Sequence, residues 1–282
     1  MSLKMVLPKG RIYTKVADLL DEIGIKLRGS DRGYRPFCSD TELSVKLLKS
    51  QNIPPLLALG QHDIGFAGMD WVLEQDAEVE SVLDLEFDPV KIVCAIPESS
   101  DWEEMKKRPL IAVSEYRRLC ENYLSDLNID YTFVRAYGAT EVFPPEDGDL
   151  IIDNTSTGST LKANNLKIVD TVMKSTTQFL VNPRAMDDQN KRDKIENMLR
   201  LMQSVLSGRK RVLLEMNCTE DALEQIVSML PSMRAPTISR LYEDSGFAIK
   251  SSVARDEVNA LIPELIKAGA SDILETQIRK IL

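Results

Sequence analysis

The sequence predicts an α/β body of open sheets, followed by a small α+β module with the order βαββαβ. Three observations support this prediction. Strand-like and helix-like segments alternate over residues 1–205, which is typical of α/β sheets. After residue 210 the pattern changes to the order of a ferredoxin-like unit. The 282 residues also fit about two domains, and 43% hydrophobic residues is typical of a globular protein.

The first elements are a strand, a turn and a helix. Residues 4–7 form a short apolar strand, which the turn Pro8-Lys9-Gly10 ends. Apolar residues then recur at helical spacing, at Ile12, Val16, Leu19, Leu20 and Ile23. The same spacing predicts a second helix around Leu43, Leu47 and Leu48, and residues 63–67 predict a strand that Gly68 ends.

The middle of the chain repeats short apolar strands. Residues 90–96 form a continuous apolar run of the kind that is buried in a parallel sheet. Further strands are predicted at residues 110–113, 131–134, 150–152, 167–173 and 176–181, with a helix at 115–127. A long helix is predicted at 187–206, and Ser207-Gly208-Arg209-Lys210 is expected to end it and to act as a linker.

The last segment carries the βαββαβ pattern. A strand at 211–216 is followed by a helix that Thr219 caps and Pro231 closes. Asp244-Ser245-Gly246 predicts a hairpin between strands at 236–241 and 247–253. A second helix runs over 258–266 until Gly269 stops it, and a strand at 273–278 closes the unit. Such a module after an α/β body is typical of a ligand sensor or of an oligomerisation module.

Composition excludes several classes of function. The net charge of −9 argues against a polymeric nucleic acid or an anionic membrane as partner. The only histidine, His62, excludes a multi-histidine metal site, and we interpret it as a surface residue. No apolar run approaches the ~20 residues of a membrane span, and the N-terminus does not resemble a signal peptide, so we expect a cytoplasmic protein. We expect reduced, buried thiols at Cys38, Cys94, Cys120 and Cys218, which form no C-x-x-C pair.

The sharpest feature is the segment 151–161, where an apolar strand runs into Asp153 and a loop of small hydroxyl residues around Gly158. Small side chains let backbone N–H groups approach an anion, hydroxyls add donors, and a helix at 161–164 adds its dipole. This is the chemistry of a phosphate cradle, although it lacks the G-K-[ST] of a Walker loop. The alternative is a turn of Ser and Thr residues that caps a helix. Asp153 favours a phosphorylated sugar, because a carboxylate can accept from two ribose hydroxyls.

An ordered set of motifs resembles the ATP phosphoribosyltransferase family, in its long form with a regulatory domain. The motifs are Leu7-Pro8-Lys9-Gly10-Arg11, Gln51-Asn52-Ile53-Pro54, residues 63–70, Gly138-Ala139-Thr140-Glu141-Val142, residues 153–164, Ala235-Pro236-Thr237-Ile238 and Gly269-Ala270-Ser271. The resemblance implies a two-lobed, periplasmic-binding-protein-like catalytic body and a ferredoxin-like (ACT-like) regulatory domain. Lobe I is expected at 1–89 and 174–207, lobe II at 90–173, and the regulatory domain at 208–282.

The resemblance also implies the reaction. N1 of ATP attacks C1 of 5-phosphoribosyl 1-pyrophosphate (PRPP), which gives phosphoribosyl-ATP and pyrophosphate in the first step of L-histidine biosynthesis. Mg²⁺ is the implied cofactor, histidine the feedback inhibitor, AMP a further candidate ligand, and a homo-oligomer (dimer or hexamer) the implied assembly. Catalysis is expected to depend on positioning and electrostatics, because a neutral ring nitrogen needs no strong base.

Site residues follow from the same match. The implied catalytic residues are Lys9, Arg11, Glu141 and Asp153, of which Glu141 and Asp153 also face Mg²⁺. PRPP is implied to bind at Asp153, Asn154, Thr155, Ser156, Thr157, Gly158, Ser159 and Thr160, with Lys162 as an added cation. ATP is implied to bind at Lys9, Gly10, Arg11, Lys49, Asp70 and Tyr116. Regulatory histidine is implied to bind at Asn217, Thr237, Ala270 and Ser271.

Three positions depart from the family pattern. Lys49 stands where the family usually carries Arg, which replaces a bidentate contact by a point charge. Tyr116-Arg117-Arg118 stands in place of Tyr-Pro-Asn, so the arginines are expected at the pyrophosphate or in water. Asn217 replaces an acidic residue of some relatives, so either the affinity for histidine is lower or another group, such as Asp272, pairs with the ammonium group of the ligand.

Three other functions fit parts of the pattern. A two-lobed solute-binding protein without catalysis shares the expected body, but such receptors are exported. A prephenate dehydratase-like enzyme also joins two lobes to a small sensor domain, yet it gives no reason for the hydroxyl-rich loop after Asp153. A non-catalytic regulatory paralogue would not need that loop intact.

Overall fold

A computed structural model describes residues 2–29, 33–231 and 235–282. The chain forms two compact units, Met1–Ile195 and Glu196–Leu282. The division falls inside a long helix, and the lobe and domain boundaries expected from the sequence stay predictions. No helix in these described ranges combines the length and apolar composition needed to cross a membrane.

The first unit alternates strands and helices as expected from the sequence. Its strands are β1 (Leu3–Pro8), β2 (Leu27–Arg28), β3 (Phe37–Cys38), β4 (Leu43–Leu48), β5 (Ile64–Gly68), β6 (Glu80–Pro97), β7 (Leu110–Ser114), β8 (Tyr131–Arg135), β9 (Leu150–Thr155) and β10 (Leu166–Val181). Its helices are α1 (Arg11–Glu22), α2 (Ile53–Ala58), α3 (Met69–Glu74), α4 (Trp102–Met105), α5 (Arg117–Asp126) and α6 (Ser159–Ala163). The helix α7 (Gln189–Arg209) begins in this unit and ends in the second.

One eight-stranded sheet, of order β4-β1-β5-β10-β6-β9-β7-β8, organises this unit. The long strands β6 and β10 pair antiparallel through its centre. Parallel strands flank them, with β4, β1 and β5 on one side and β9, β7 and β8 on the other. The two crossing strands therefore connect two α/β lobes, which confirms the predicted two-lobed body.

Three expectations for this unit were wrong in detail. Residues 43–48 form the strand β4 instead of a helix: Leu43, Val45 and Leu47 are buried in alternation, and each pairs with a residue of β1. A spacing of four residues satisfies both periods, so it could not distinguish them. The strands expected at 167–173 and 176–181 are one continuous strand, β10. The run at 90–96 belongs to the longer strand β6, which pairs antiparallel with β10 and β9 rather than with parallel neighbours.

The second unit is a four-stranded antiparallel sheet with two helices. Its remaining elements are β11 (Arg211–Cys218), α8 (Glu220–Met229), β12 (Thr237–Arg240), β13 (Phe247–Ala254), α9 (Val258–Lys267) and β14 (Ser271–Gln277). The order β12-β13-β11-β14 places the first and third strands at the centre, which confirms the ferredoxin-like βαββαβ unit. Thr219 occupies the N-cap of α8, but its side chain makes no capping hydrogen bond.

The helix α7 ends at Arg209, inside the expected stop Ser207-Gly208-Arg209-Lys210. Gly208 also has a packing role. A Cβ at this position would stand 2.9 Å from the backbone carbonyl of Arg279. Glycine therefore allows the C-terminal segment to lie against the helix.

Candidate active site

A polar cleft of about 140 Å³ lies in the first unit, where several strands end. Arg11 follows β1, Asp70 follows β5, Tyr116 follows β7, and Asn154 stands near the end of β9. Residues 175–177 of the crossing strand β10 complete one wall. The carboxyl ends of strands in an open α/β sheet are where ligands bind. The structure thus brings together four residues that the sequence motifs named separately.

A buried hydrogen-bond chain forms the floor of this cleft. Asp70 Oδ2 accepts from the hydroxyl of Tyr116 at 2.9 Å, and Asp70 Oδ1 accepts from Ser175 Oγ at 2.7 Å. Tyr116 Oη in turn accepts from Asn154 Nδ2 at 3.1 Å. Glycine at position 68 is required here, because a Cβ would collide with Asp70 Oδ1. The chain connects strands of both lobes through four polar side chains.

Tyr116 is almost completely enclosed by protein. Its side chain is 1% exposed, and its ring stacks on Trp71 with centroids 4.6 Å apart. Burial raises the pKa of the Tyr116 phenol, and the neighbouring Asp70 carboxylate raises it further, so the hydroxyl stays protonated. The phenol is therefore a fixed donor to Asp70 and a fixed acceptor from Asn154.

Asp153 lies at the start of the hydroxyl-rich loop. Its Oδ2 accepts from the hydroxyl of Thr140, and its Oδ1 accepts from the Asn154 backbone N–H at 2.6 Å. Burial raises the pKa of Asp153, and the charge of Glu141 raises it further. The two hydrogen bonds act in the opposite direction because they stabilise the charged form. The carboxylate is consequently held in one orientation.

The acidic groups around Asp153 influence one another. The pKa of Glu115 is raised by burial and then by the charge of Asp153, while Lys49 and Arg135 oppose the shift.

Among the residues that the structure describes, no three acidic, cysteine or histidine side chains form a metal site. Magnesium is commonly held by one or two carboxylates together with substrate phosphates. The carboxylates of Asp153 and Glu141 fit that mode of binding.

The loop 155–159 is ordered by its own side chains. The Gly158 N–H donates to Thr155 Oγ1 at 2.9 Å, and the hydroxyls of Thr157 and Ser159 are 3.0 Å apart. Gly158 has a φ of 77°, which glycine adopts easily, and it is the N-cap residue of α6. The helix begins at Ser159, earlier than the expected 161. Exposed hydroxyl groups therefore surround a glycine at the end of β9.

The turn at residues 9–11 places its two cations differently. Arg11 lines the cleft and pairs with Asp88 at 3.3 Å, although its side chain remains 74% exposed. Lys9 Nζ lies 3.5 Å from the centre of the Tyr34 ring, a cation–π contact outside the lining of the cleft. Gly10, with a φ of 89°, makes the turn between them. Lys49 is exposed after β4 and also lies outside the lining.

Comparison with known proteins supplies the family. A profile described as ATP phosphoribosyltransferase matches residues 49–204, and one described as the HisG C-terminal domain matches 208–280. The ATP phosphoribosyltransferase of Prosthecochloris aestuarii is 37% identical over 286 aligned residues, covering 99% of this chain and 97% of the relative. The chain belongs to the ATP phosphoribosyltransferase family. Its activity is therefore ATP phosphoribosyl transfer in histidine biosynthesis, and this confirms the resemblance read from the motifs.

Two further comparisons agree with this assignment. The ATP phosphoribosyltransferase of Pelotomaculum thermopropionicum is 36% identical and covers the whole of both chains. A chain of the ATP phosphoribosyl transferase (HisG:HisZ) complex from Thermotoga maritima shares the fold, with a TM-score of 0.64 and 24% identity over 71% of this chain and 98% of that chain. Family membership decides against the solute-binding and prephenate dehydratase-like alternatives.

The second unit matches the C-terminal domain of the family, and it brings together part of the expected histidine site. Asn217 Nδ2 donates to Asp272 Oδ2 at 3.0 Å, and Ser271 Oγ donates to the same oxygen at 3.1 Å. Ala270 is buried beside them. Thr237 lies on β12, which β13 separates from Asn217 on β11. Three of these positions thus cluster around Asp272, and Thr237 does not join them within one chain.

The structure also tests what the sequence predicts for His62 and for the four cysteines. The interpretation of His62 as a surface residue was wrong, because its side chain is only 9% exposed. His62 does not line the cleft that contains Asp70. All four cysteines are free thiols, as expected. Cys94, Cys120 and Cys218 are buried, whereas Cys38 is partly exposed.

The site residues inferred from the sequence did not include three that support the cleft and the loop. Ser175 and Thr140 hold Asp70 and Asp153, and Trp71 covers one face of Tyr116, although Thr140 belongs to the quoted motif 138–142. Ser175 is 105 positions from Asp70 along the chain. No local sequence signal marks this partnership, because the two residues meet only through the pairing of β10 with β5.

Proposed function

We propose that the cleft and the loop 153–160 together form the site where ATP and PRPP react. One observation carries the proposal. Asn154 belongs to both, since its side chain donates to Tyr116 in the cleft while its backbone N–H donates to Asp153 at the start of the loop. Substrates bound on either side of this residue would be adjacent, as bond formation between them requires.

PRPP is assigned to the loop side. The Asp153 carboxylate accepts hydrogen bonds from the ribose hydroxyls, and Thr140 keeps it oriented. The 5′-phosphate is assigned to the backbone and hydroxyl groups of Thr155, Ser156, Thr157, Gly158, Ser159 and Thr160, with Lys162 nearby along the chain. The exposure of these hydroxyls and the small size of the residues support this assignment, because a phosphate needs several donors at close range.

ATP is assigned to the cleft side. Arg11 lines the cleft and, together with Lys9 and Lys49, offsets the charge of the triphosphate. Gly10 leaves room for close approach of a phosphate, since a Cβ there would meet no atom within 4 Å. We assign the wall that faces the adenine and ribose to Asp70 and Tyr116. Their burial indicates that they fix the shape of this wall through hydrogen bonds.

Magnesium is assigned to the acidic side chains around Asp153. Asp153 and Glu141 are the proposed carboxylate contacts, directly or through the bound PRPP. When bound, the ion neutralises charge on the departing pyrophosphate. Burial, and to a smaller extent the charge of Glu141, raises the pKa of Asp153, and a bound cation would stabilise the charged form of this carboxylate.

The proposed reaction uses positioned charges rather than a titrating base. N1 of adenine forms a bond to C1 of the ribose while the bond from C1 to pyrophosphate breaks. Positive charge develops on the ribose at the transition state, where the fixed carboxylate of Asp153 stabilises it. The cations Lys9, Arg11 and Lys49 stabilise the negative charge of the phosphates. His62 takes no part, in agreement with its place outside the cleft.

The second unit is proposed to bind histidine as the feedback inhibitor. Asp272 offers a carboxylate to the ligand ammonium group, with Asn217, Ala270 and Ser271 around it and Thr237 as a further contact.

AMP is proposed as a competitor at the nucleotide site. We also propose that the enzyme is cytoplasmic and that it works as a dimer or hexamer.

The test is a kinetic assay of Asp153→Asn. Wild-type protein incubated with ATP, PRPP and Mg²⁺ should form phosphoribosyl-ATP, which is followed by its near-ultraviolet absorbance. The variant should lose turnover by about 10²- to 10³-fold, as when one charge-stabilising group of an active site is removed. Asp147→Asn, which changes an exposed carboxylate on the preceding loop, is the matched control. Wild-type-like turnover by a folded Asp153→Asn variant would exclude the assignment.

A further inference from the structure

A second polar cleft of about 300 Å³ lies in the first unit, toward the amino ends of the strands. Lys4 is the second residue of β1, Ser44 and Lys46 lie on β4, and His62 precedes β5. Arg35, from the loop before β3, and Gln61 complete its polar lining. The catalytic cleft lies at the opposite, carboxyl ends of these strands. The two clefts are therefore separate.

Unpaired positive charge is the main property of this second cleft. Lys4, Arg35 and Lys46 line it, and within the described residues none of their side chains forms an ion pair. Asp63, the carboxylate next to His62 in the chain, is engaged elsewhere, because it accepts from Lys191 Nζ at 2.7 Å and from the Lys4 backbone N–H at 2.7 Å. Three cations thus converge on one cleft in a chain whose net charge is −9.

The imidazole of His62 provides a second, independent observation. The side chain is nine-tenths buried at the wall of the cleft, and its Nδ1 has no hydrogen-bond partner among the described residues. Burial lowers the pKa of His62, and the charges of Lys46 and Lys4 lower it further. A buried polar atom without a partner is costly, so the imidazole is held in the wall of the cleft without a compensating hydrogen bond at Nδ1.

The geometry points to a binding site for a small phosphorylated anion in this second cleft, formed by Lys4, Arg35, Lys46 and His62. Ammonium and guanidinium groups are the strongest donors that proteins offer to phosphate oxygens. Ser44 and Gln61 add neutral donors. The cleft exceeds the volume of one phosphate group, so pyrophosphate and a nucleoside monophosphate share the required chemistry. This site is distinct from the proposed catalytic and histidine sites, and it does not depend on them.

The single histidine allows a direct test by NMR. In tag-free protein labelled with ¹⁵N-histidine, every imidazole signal belongs to His62. Inorganic phosphate, pyrophosphate and AMP are titrated separately. We expect at least one of them to shift the His62 signals saturably and to raise the imidazole pKa. The anion that binds with the highest affinity identifies the kind of phosphoryl compound that the cleft accepts. Signals that do not respond to any of the three would overturn the proposal.

Two variants separate direct binding from an indirect response to ligand in the catalytic cleft. Lys46→Ala and Arg35→Ser, a change of an exposed side chain, each remove one charge-assisted contact. Each should raise the dissociation constant of the anion that shifts the His62 signals by about tenfold. Lys167→Ala, which removes an exposed lysine of β10, should leave the titration unchanged. Neither Lys46 nor Arg35 lines the catalytic cleft, so basal turnover should be retained in both variants. Equal titrations in wild type and both variants would contradict the site even if turnover behaves as proposed.

Discussion

The proposed catalytic cleft of the first unit and the proposed histidine cluster of the second hold their polar side chains in different ways. Asp70 is 5% exposed and makes side-chain hydrogen bonds to Tyr116 and Ser175. Asp272 is exposed, and it accepts from Asn217 and from its neighbour Ser271. The first arrangement is enclosed by protein, whereas the second is open to solvent.

This difference corresponds to the demands of the two proposed tasks. Transfer chemistry requires groups fixed to within a fraction of an ångström, because misplacement lowers the rate steeply. An inhibitor site needs only a differential affinity between two states of the enzyme. We therefore expect changes in the cleft to have large effects on rate and on folding, and changes near Asp272 to affect only the response to histidine.

Among the variants that compare these two clusters, Asp70→Asn is expected to have the largest effect. The amide cannot replace both acceptor oxygens, so the buried hydroxyl of Tyr116 or Ser175 loses its partner. We expect kcat/KM to fall by about 10²-fold, as the cleft loses its shape. The free energy of unfolding should fall by about 1–3 kcal/mol, the cost of a buried unpaired polar group. Steady-state kinetics and urea denaturation measure the two effects, with the exposed Asp130→Asn as control. Wild-type values for both would show that the buried chain does not shape the cleft.

A smaller and more selective effect is expected for Asp272→Asn. The ligand ammonium group would lose its carboxylate partner, so the histidine concentration for half-inhibition should rise by about tenfold. Turnover without histidine should match that of the wild type. Glu275→Gln, an exposed change on the same strand, should alter neither quantity. An equal loss of turnover in Asp272→Asn would remove the contrast between the two regions.

The raised pKa of Asp153 predicts a modest change in stability with pH. Burial destabilises the charged carboxylate in the folded state, so ionisation of Asp153 costs stability as the pH rises through its raised folded-state pKa. The melting temperature of Asp153→Asn relative to wild type should therefore rise between about pH 4 and pH 8. Below about pH 4, where the carboxyl is protonated in both states, the difference should be constant and should reflect only the exchanged hydrogen bonds to Thr140 and Asn154. Thermal melts from pH 3.5 to 8 measure this, and Asp147→Asn should show no such trend.

The smallest effect is expected for Lys49→Arg. A guanidinium group can contact a phosphate with two parallel hydrogen bonds, which an ammonium group cannot do. We expect KM for ATP to fall by about two- to threefold, with kcat nearly unchanged. A higher KM in this variant would place Lys49 away from the triphosphate.

The sequence predicted the loop and the strands better than the contacts that hold the site. Local chemistry marks Asp153 and the hydroxyl residues after it, because the apolar strand and the small residues are contiguous. The partnership of Asp70 with Ser175 joins residues far apart in the chain, and nothing local indicates it. Leu43 and Leu47, four residues apart, satisfy both the helical and the strand period, so only pairing with β1 decides that they lie on a strand. His62 and Gly208 show the same limit, since burial and close packing depend on distant segments.

The central claim is that the loop and the cleft form one active site through Asn154. The most direct test measures kcat/KM for ATP and for PRPP in Asn154→Ala, beside the exposed control Asn190→Ala. Because Asn154 contacts Tyr116 on one side and Asp153 on the other, both values should fall together by about tenfold or more. Retention of the wild-type value for either substrate would contradict the shared site.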